Sequence, residues 1–245
     1  MSADVDVFIL PVPPGPDDAG LDLLDADERA RWDRFKFAPD RRIFAAAHAL
    51  LRAALSRWGD SAAPDWRFQV GRWGRPELAE AQAASGLRFN LSHTRGMVAC
   101  AVTRGRAVGI DVEGFDTAGR SDGVARRAFT DFERAQIEAS PADRRTEAFM
   151  TVWSLKEAYV KARGLGLSLP LTSFSVAIAP PRILPAPDDT GRWHAESSTE
   201  DGAFRLSLVV ALDDQPLRVA YSRVPTRWLD DGAGAALPRA SRPMG

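Results

Sequence analysis

The stretch "VGIDVE", residues 108–113, places two carboxylates two positions apart within an apolar run. In a β-strand, positions i and i+2 face the same side. Asp111 and Glu113 would therefore project together, with Ile110 and Val112 facing the other way. Two adjacent carboxylates repel, and burying both is costly without a cation. A hard divalent ion such as Mg²⁺ resolves the conflict, taking one or two carboxylates and leaving positions for phosphate oxygens. A strand end emerging into solvent would hold the same pair at little cost, and the pair alone does not separate the two readings.

A second concentration of candidate groups is "WSLKEAYVKARG", residues 153–164. Of 32 Lys plus Arg, only Lys36, Lys156 and Lys161 are lysine, and two of these flank Glu157. A compact ammonium differs from a guanidinium in reach, hydration and ability to lose a proton, so a site needing a point charge beside a phosphate or carboxylate keeps lysine. On a helix, Ser154, Glu157 and Lys161 share one narrow arc. Glu157 and Lys161 also have the i,i+4 spacing of an ordinary surface ion pair. Lys156 projects among Phe149, Trp153 and Val160, where its ammonium must reach a polar edge or meet an anion. A Lys–Glu–Lys group on the edge of a buried helix points to a ligand.

The third concentration is "FNLSHTRGM" from Phe89. Ser92, His93, Thr94 and Arg95 gather donors suited to a phosphate, although a turn with local hydrogen bonds would use the same residues. "GRWGRPEL" offers Gly74, Arg75 and Pro76, a rigid turn carrying a cation. His48 lies in a helical Ala/Leu run and reads as core.

These groups must be positioned by a chain of 245 residues, enough for one large domain or two ordinary ones. A net charge of −1 and the lack of a basic run argue against a nucleic-acid surface. The single Cys100 excludes a disulfide framework or a cysteine-rich zinc site. The N-terminus lacks a signal-peptide pattern and no stretch has the apolar length of a membrane span, so the expected location is the cytoplasm.

Periodicity predicts a strand over residues 5–12 and helices in "LDADERARWDRFKF" and "DRRIFAAAHALLRAALSRWG". Short strands follow at 87–91, 97–103 and 107–113, with "TRGR" as a hairpin turn between the last two. Helices return in "FTDFERAQIEAS" and "DRRTEAFMTVWSLKEAYVKARG", then strands from 171 to 224. The small-residue segment after Trp228 reads as a disordered tail. The two long helices echo each other: each begins at "DRR", ends in Gly and follows a shorter helix containing "ERA". With a two-residue gap, Arg52 falls opposite Glu157. A duplicated α/β unit is the better reading, beside a chance match between two Ala- and Arg-rich helices. The fold class expected is α/β (α+β), two similar halves in a pseudo-twofold arrangement with the active site in the cleft between them. The halves are residues 1–108 and 109–228, and the tail is 229–245.

Taken in order, "GRP" at 74, "FNLSH" at 89, "GIDVE" at 109 and "WSLKEAYVK" at 153 resemble the 4′-phosphopantetheinyl transferase superfamily, in its long, two-lobed, surfactin-type branch. The resemblance spans roughly residues 70 to 176. It implies transfer of 4′-phosphopantetheine from coenzyme A to a serine of an acyl-, polyketide- or peptidyl-carrier protein, releasing adenosine 3′,5′-bisphosphate. Carried over, Asp111, Glu113 and Glu157 would bind Mg²⁺ (or Mn²⁺), with Glu157 the candidate base and Lys161 facing the pyrophosphate. Lys156 would assist, Ser92 and His93 would hold a coenzyme A phosphate, and Arg75 would contact the nucleotide end. Cations for the 3′-phosphate would come from among Arg31, Arg34, Arg41 and Arg42, of which Arg31 and Arg42 are taken as candidates. The second motif reads S-H-T where S-H-S is common, and Glu133 stands at an acidic helix start with no role implied. Two halves in one chain disfavour the short trimeric carrier-protein synthase branch, and a monomer is expected. Without the resemblance, a Mg²⁺-dependent phosphohydrolase or a carrier-binding scaffold would use the same residues.

Overall fold

The computed structural model describes residues 3–71, 76–116, 121–230 and 237, apart from the side chains of 121, 122, 124 and 167. In chain order the first elements are β1 (Val5–Pro11), α1 (Ala26–Trp32), α2 (Ala38–Trp58), β2 (Phe68–Val70), β3 (Pro76–Leu78), α3 (Glu80–Ala83), β4 (Leu87–Thr94) and β5 (Met97–Arg104). Next come β6 (Val108–Gly114), α4 (Ser121–Ala128), α5 (Asp131–Ala139) and α6 (Arg145–Arg163). The chain ends with β7 (Ser175–Ile178), β8 (Pro181–Leu184), β9 (Arg192–Glu200), β10 (Phe204–Leu212), β11 (Val219–Arg223) and α7 (Arg227–Asp230). The fold is mixed α/β. It divides into two compact units, Met1–Gly105 with Leu217–Gly245, and Arg106–Pro216.

In the first unit the sheet order is β11-β1-β5-β4, with β5 antiparallel to both β1 and β4 and with β11 parallel to β1. The alanine- and leucine-rich α2 buries its apolar residues in this unit's core with Phe8, Leu10, Val98 and Val102. In the second unit the order is β6-β10-β9, all antiparallel. In each unit the second strand of an antiparallel hairpin, β5 of β4–β5 and β10 of β9–β10, lies between its hairpin partner and the unit's first strand, β1 or β6.

The long helix α6 is buried on most of its circumference, as expected of a helix apolar nearly all round. It packs within a separate core containing Phe129, Phe149, Leu155, Tyr159 and Val209. Gly164, in the left-handed region at φ 65°, ends it. Gly109 sets the spacing between β6 and α6. A Cβ there would lie 1.9 Å from the Ala158 carbonyl oxygen and 2.5 Å from the Ala162 nitrogen. Only a residue without a side chain lets the strand lie that close to the helix backbone.

Three expectations are corrected. The "TRGR" hairpin does not form. β5 pairs with β1 and β4 while β6 pairs with β10, and the tight turn falls earlier, at Arg95–Gly96, where Gly96 has φ 92°. The second unit ends at residue 216, because β11 returns to lie beside β1. The segment after Trp228 is not wholly a loose tail, since Leu229 and Leu237 are buried in the first unit's core. Residues 231–236 and 238–245 lie outside the described residues.

Candidate active site

The second unit brings Asp111, Glu113, Glu157 and Lys161 together. Asp111 and Glu113 stand on one face of β6, and their cross-strand neighbours on β10 are Ser207 and Arg205. Lys161, one helical turn beyond Glu157 on α6, donates from Nζ to Asp111 Oδ1 at 2.6 Å and to the Ile110 carbonyl at 3.2 Å. Trp153, one turn before Glu157, donates its indole N–H to Glu113 Oε1 at 3.2 Å. The close approach at Gly109 thus places two strand carboxylates against one helix face carrying a carboxylate, an ammonium and an indole.

The electrostatics follow from that geometry. Burial, then the negative charge of Asp111, pushes the Glu113 carboxyl above its ordinary value; Glu157 adds to this, while the Trp153 N–H and Lys161 oppose it. Burial and Asp111 push Glu157 up in the same way, with Lys161 opposing. Like charges that disfavour one another's ionisation make a cluster short of positive charge. Behind it, Ser154 Oγ and Ser207 Oγ are 2.6 Å apart and Ser207 donates to Ser197 at 3.0 Å, so the buried hydroxyls between helix and sheet are satisfied.

An all-oxygen donor set with excess negative charge suits Mg²⁺ or Mn²⁺ rather than a soft metal. Among the described residues, no three His, Cys, Asp or Glu side chains already form a metal-holding group.

Lys156 does not join this group. It is fully buried, with Nζ 2.6 Å from Glu133 Oε1, 3.0 Å from the Phe174 carbonyl and 4.2 Å from the centre of the Phe174 ring. Burial pushes its ammonium below the ordinary lysine value, with Glu133 opposing. Its role as a coenzyme A contact is therefore corrected: the ammonium is enclosed by an internal carboxylate. The position of Lys156 on the helix calls for an anion, and the anion comes from another helix. Glu133 is the third residue of α5 and closes a capping box begun by Thr130. The sequence signal was the T-x-x-E of "FTDFERA".

In the first unit, Ser92 and His93 lie at the end of β4, Ser92 buried and His93 exposed. His93, Thr94, Arg95 and Gly96 form one wall of a pocket of about 600 Å³ whose other walls are Val12–Gly15, Phe35 and residues from Ala38 to Phe44. Arg42 lines this pocket but is held in its wall, donating to Pro13 O at 2.8 Å, Pro16 O at 2.5 Å and Asp230 Oδ1 at 3.1 Å. Its guanidinium lies against Gly15, where a Cβ would be 2.8 Å away. The structure therefore corrects Arg42 from a ligand-facing cation to a clasp on the 13–16 loop. Arg31 is exposed, with its guanidinium 5.2 Å from the Phe44 ring centre. Arg75 lies outside the described residues.

Comparison with known proteins places the second unit first. The family profile described as the 4′-phosphopantetheinyl transferase superfamily matches residues 107–211. The 4′-phosphopantetheinyl transferase HetI of Nostoc is 34% identical over 157 residues, covering 64% of this chain and 66% of that protein. A 4′-phosphopantetheinyl transferase of Bacillus subtilis is 32% identical over 168 residues, 69% of this chain and 72% of that protein. The 4′-phosphopantetheinyl transferase Sfp of Bacillus subtilis strain 168 is 29% identical over 198 residues, 80% of this chain and 86% of that protein.

Proposed function

The chain belongs to the 4′-phosphopantetheinyl transferase superfamily, and from that premise we propose that it transfers 4′-phosphopantetheine from coenzyme A to a carrier-protein serine. The enzyme is of the holo-carrier-protein synthase type, working as a monomer in the cytoplasm on an acyl-, polyketide- or peptidyl-carrier protein. The observation that carries this reading is the convergence of Asp111, Glu113, Glu157 and Lys161 at the Gly109 contact of β6 with α6.

In the reaction, the serine hydroxyl attacks the pantetheine-side phosphorus of the pyrophosphate. A new P–O bond forms, the bond to the bridging oxygen breaks, and adenosine 3′,5′-bisphosphate leaves. Transfer of this kind needs positioning and charge stabilisation more than covalent help from the protein. Glu157, its carboxyl pushed up by burial and by Asp111, is the candidate for taking the serine proton; such a base contributes roughly 10²- to 10⁴-fold. Lys161 supplies a compact positive charge for the phosphate oxygens and the leaving bisphosphate. Asp111, Glu113 and Glu157 would hold Mg²⁺, which when bound neutralises charge on the pyrophosphate. Ser92, His93 and Arg31, with the pocket beside His93 in the first unit, would hold the nucleotide portion, and Arg75 would contact its far end.

Chromatography of the reaction mixture tests the chemistry: adenosine 3′,5′-bisphosphate should appear only when both coenzyme A and apo-carrier are present. Its release without carrier would favour a phosphohydrolase.

A further inference from the structure

The Glu113 carboxylate sits at the next-to-last position of β6, half-buried, and crowded by the charges of Asp111 and Glu157. Repulsion from two neighbours would turn such a side chain outward, since its own torsions offer several staggered wells of similar energy. From α6, the Trp153 indole N–H donates to Glu113 Oε1 at 3.2 Å. Trp153 precedes Glu157 by four residues, so the same helix face presents the indole and the Glu157 carboxylate. The ring is half-buried and packs against the core formed by Phe149, Leu155 and their neighbours, which fixes the direction of its N–H.

The chemistry of the indole suits one task. It donates a single hydrogen bond and accepts none, so it cannot compete with the carboxylates for a cation. It carries no charge, so it restrains Glu113 without cancelling the negative charge that a cation site requires. By contrast, Lys161 holds Asp111 with a full positive charge. Hydrogen-bond partners behind ligating carboxylates are known to orient them and to affect metal affinity.

We propose that Trp153 is the positioning residue for Glu113, its N–H fixing one carboxylate oxygen so that the other is presented to a divalent cation beside Asp111 and Glu157. This rests on the metal-binding reading of the acidic cluster, and the test separates the two. Mn²⁺ and Mg²⁺ are titrated calorimetrically into the full-length chain, as wild type, Trp153→Phe, Glu113→Gln and the double variant, with Tm measured in the absence of metal. Phe keeps most of the ring packing and removes the donor. If Trp153→Phe lowers Tm, β-(3-benzothienyl)alanine at 153, which replaces N–H by sulfur in the same ring shape, takes its place.

The expected result is Mn²⁺ binding weakened by roughly 10- to 100-fold with Tm unchanged, and no further loss when Trp153→Phe is added to Glu113→Gln. In turnover, the Mg²⁺ concentration needed for half-maximal rate rises while kcat at saturating Mg²⁺ is retained. Unchanged Mn²⁺ affinity in both donor-free variants overturns the role of Trp153. Absence of Mn²⁺ binding by the wild type overturns the metal reading itself.

Discussion

Lys156 Nζ and Glu133 Oε1 lie 2.6 Å apart with both side chains fully buried, and the arrangement recurs in the other unit, where Arg52 Nη2 lies 2.8 Å from Glu28 Oε2. In each unit the glutamate is the third residue of a short helix and closes its capping box. The cation comes from the following long helix and sits over a phenylalanine ring, Phe174 or Phe68. The two long helices thus each carry the cation of such a pair, Arg52 on α2 and Lys156 on α6, one residue away from the Arg52–Glu157 match read from sequence.

Removing one partner of such a pair strands the other. Lys156→Met should lower stability by about 3–5 kcal/mol, because Glu133 would be left charged and buried, and pairing it with Glu133→Gln should recover much of the loss. Urea denaturation checks this. A Lys156→Met chain of normal stability but raised KM for coenzyme A would instead restore the ligand role.

Gly109→Ala should both destabilise the chain, by about 1–3 kcal/mol, and reduce transfer. The added carbon meets the backbone of α6 rather than a side chain that could turn aside. The measurement is Tm beside turnover, and an active, fully stable alanine variant would contradict the close approach.

The acidic cluster predicts a conflict between function and stability. Glu157 has a raised folded-state pKa, above its ordinary value of 4.5. Its stabilising share is therefore present at low pH and lost as pH rises through the folded pKa. Without metal, Glu157→Gln should be more stable than wild type at pH 7 while transfer falls by roughly 10²-fold or more. Mg²⁺ should raise the wild-type Tm more than that of the variant. Thermal scans with and without Mg²⁺ test both statements.

Glu28 behaves with the opposite sign. Burial pushes its carboxyl up, but the hydrogen bond and charge of His48, with Arg52, outweigh this and hold it below 4.5. Its contribution is present above the unfolded pKa and lost as pH falls through the lower folded value. Glu28→Gln should flatten the acid limb of a Tm-against-pH profile, and an unchanged limb would contradict the network.

Much of this was legible in the sequence. The i,i+2 pair Asp111 and Glu113 stands on one face of a strand, and Glu157 with Lys161 on one face of a helix, because both follow from local periodicity. What escaped was non-local. The partner of Lys156 is 23 residues away on another helix, and no spacing rule joins them. β5 takes β1 as a partner rather than the next strand, and β11 crosses back to β1. Arg42 looked like a free cation because nothing in its own helix reveals the carbonyls of Pro13 and Pro16.

The central claim is most directly tested by intact-mass spectrometry of an apo-carrier protein incubated with this chain, coenzyme A and Mg²⁺. The account predicts a gain of one phosphopantetheine arm, abolished by EDTA and cut roughly 10²- to 10³-fold in rate by Lys161→Ala. No mass gain across acyl-, polyketide- and peptidyl-carrier proteins would contradict it.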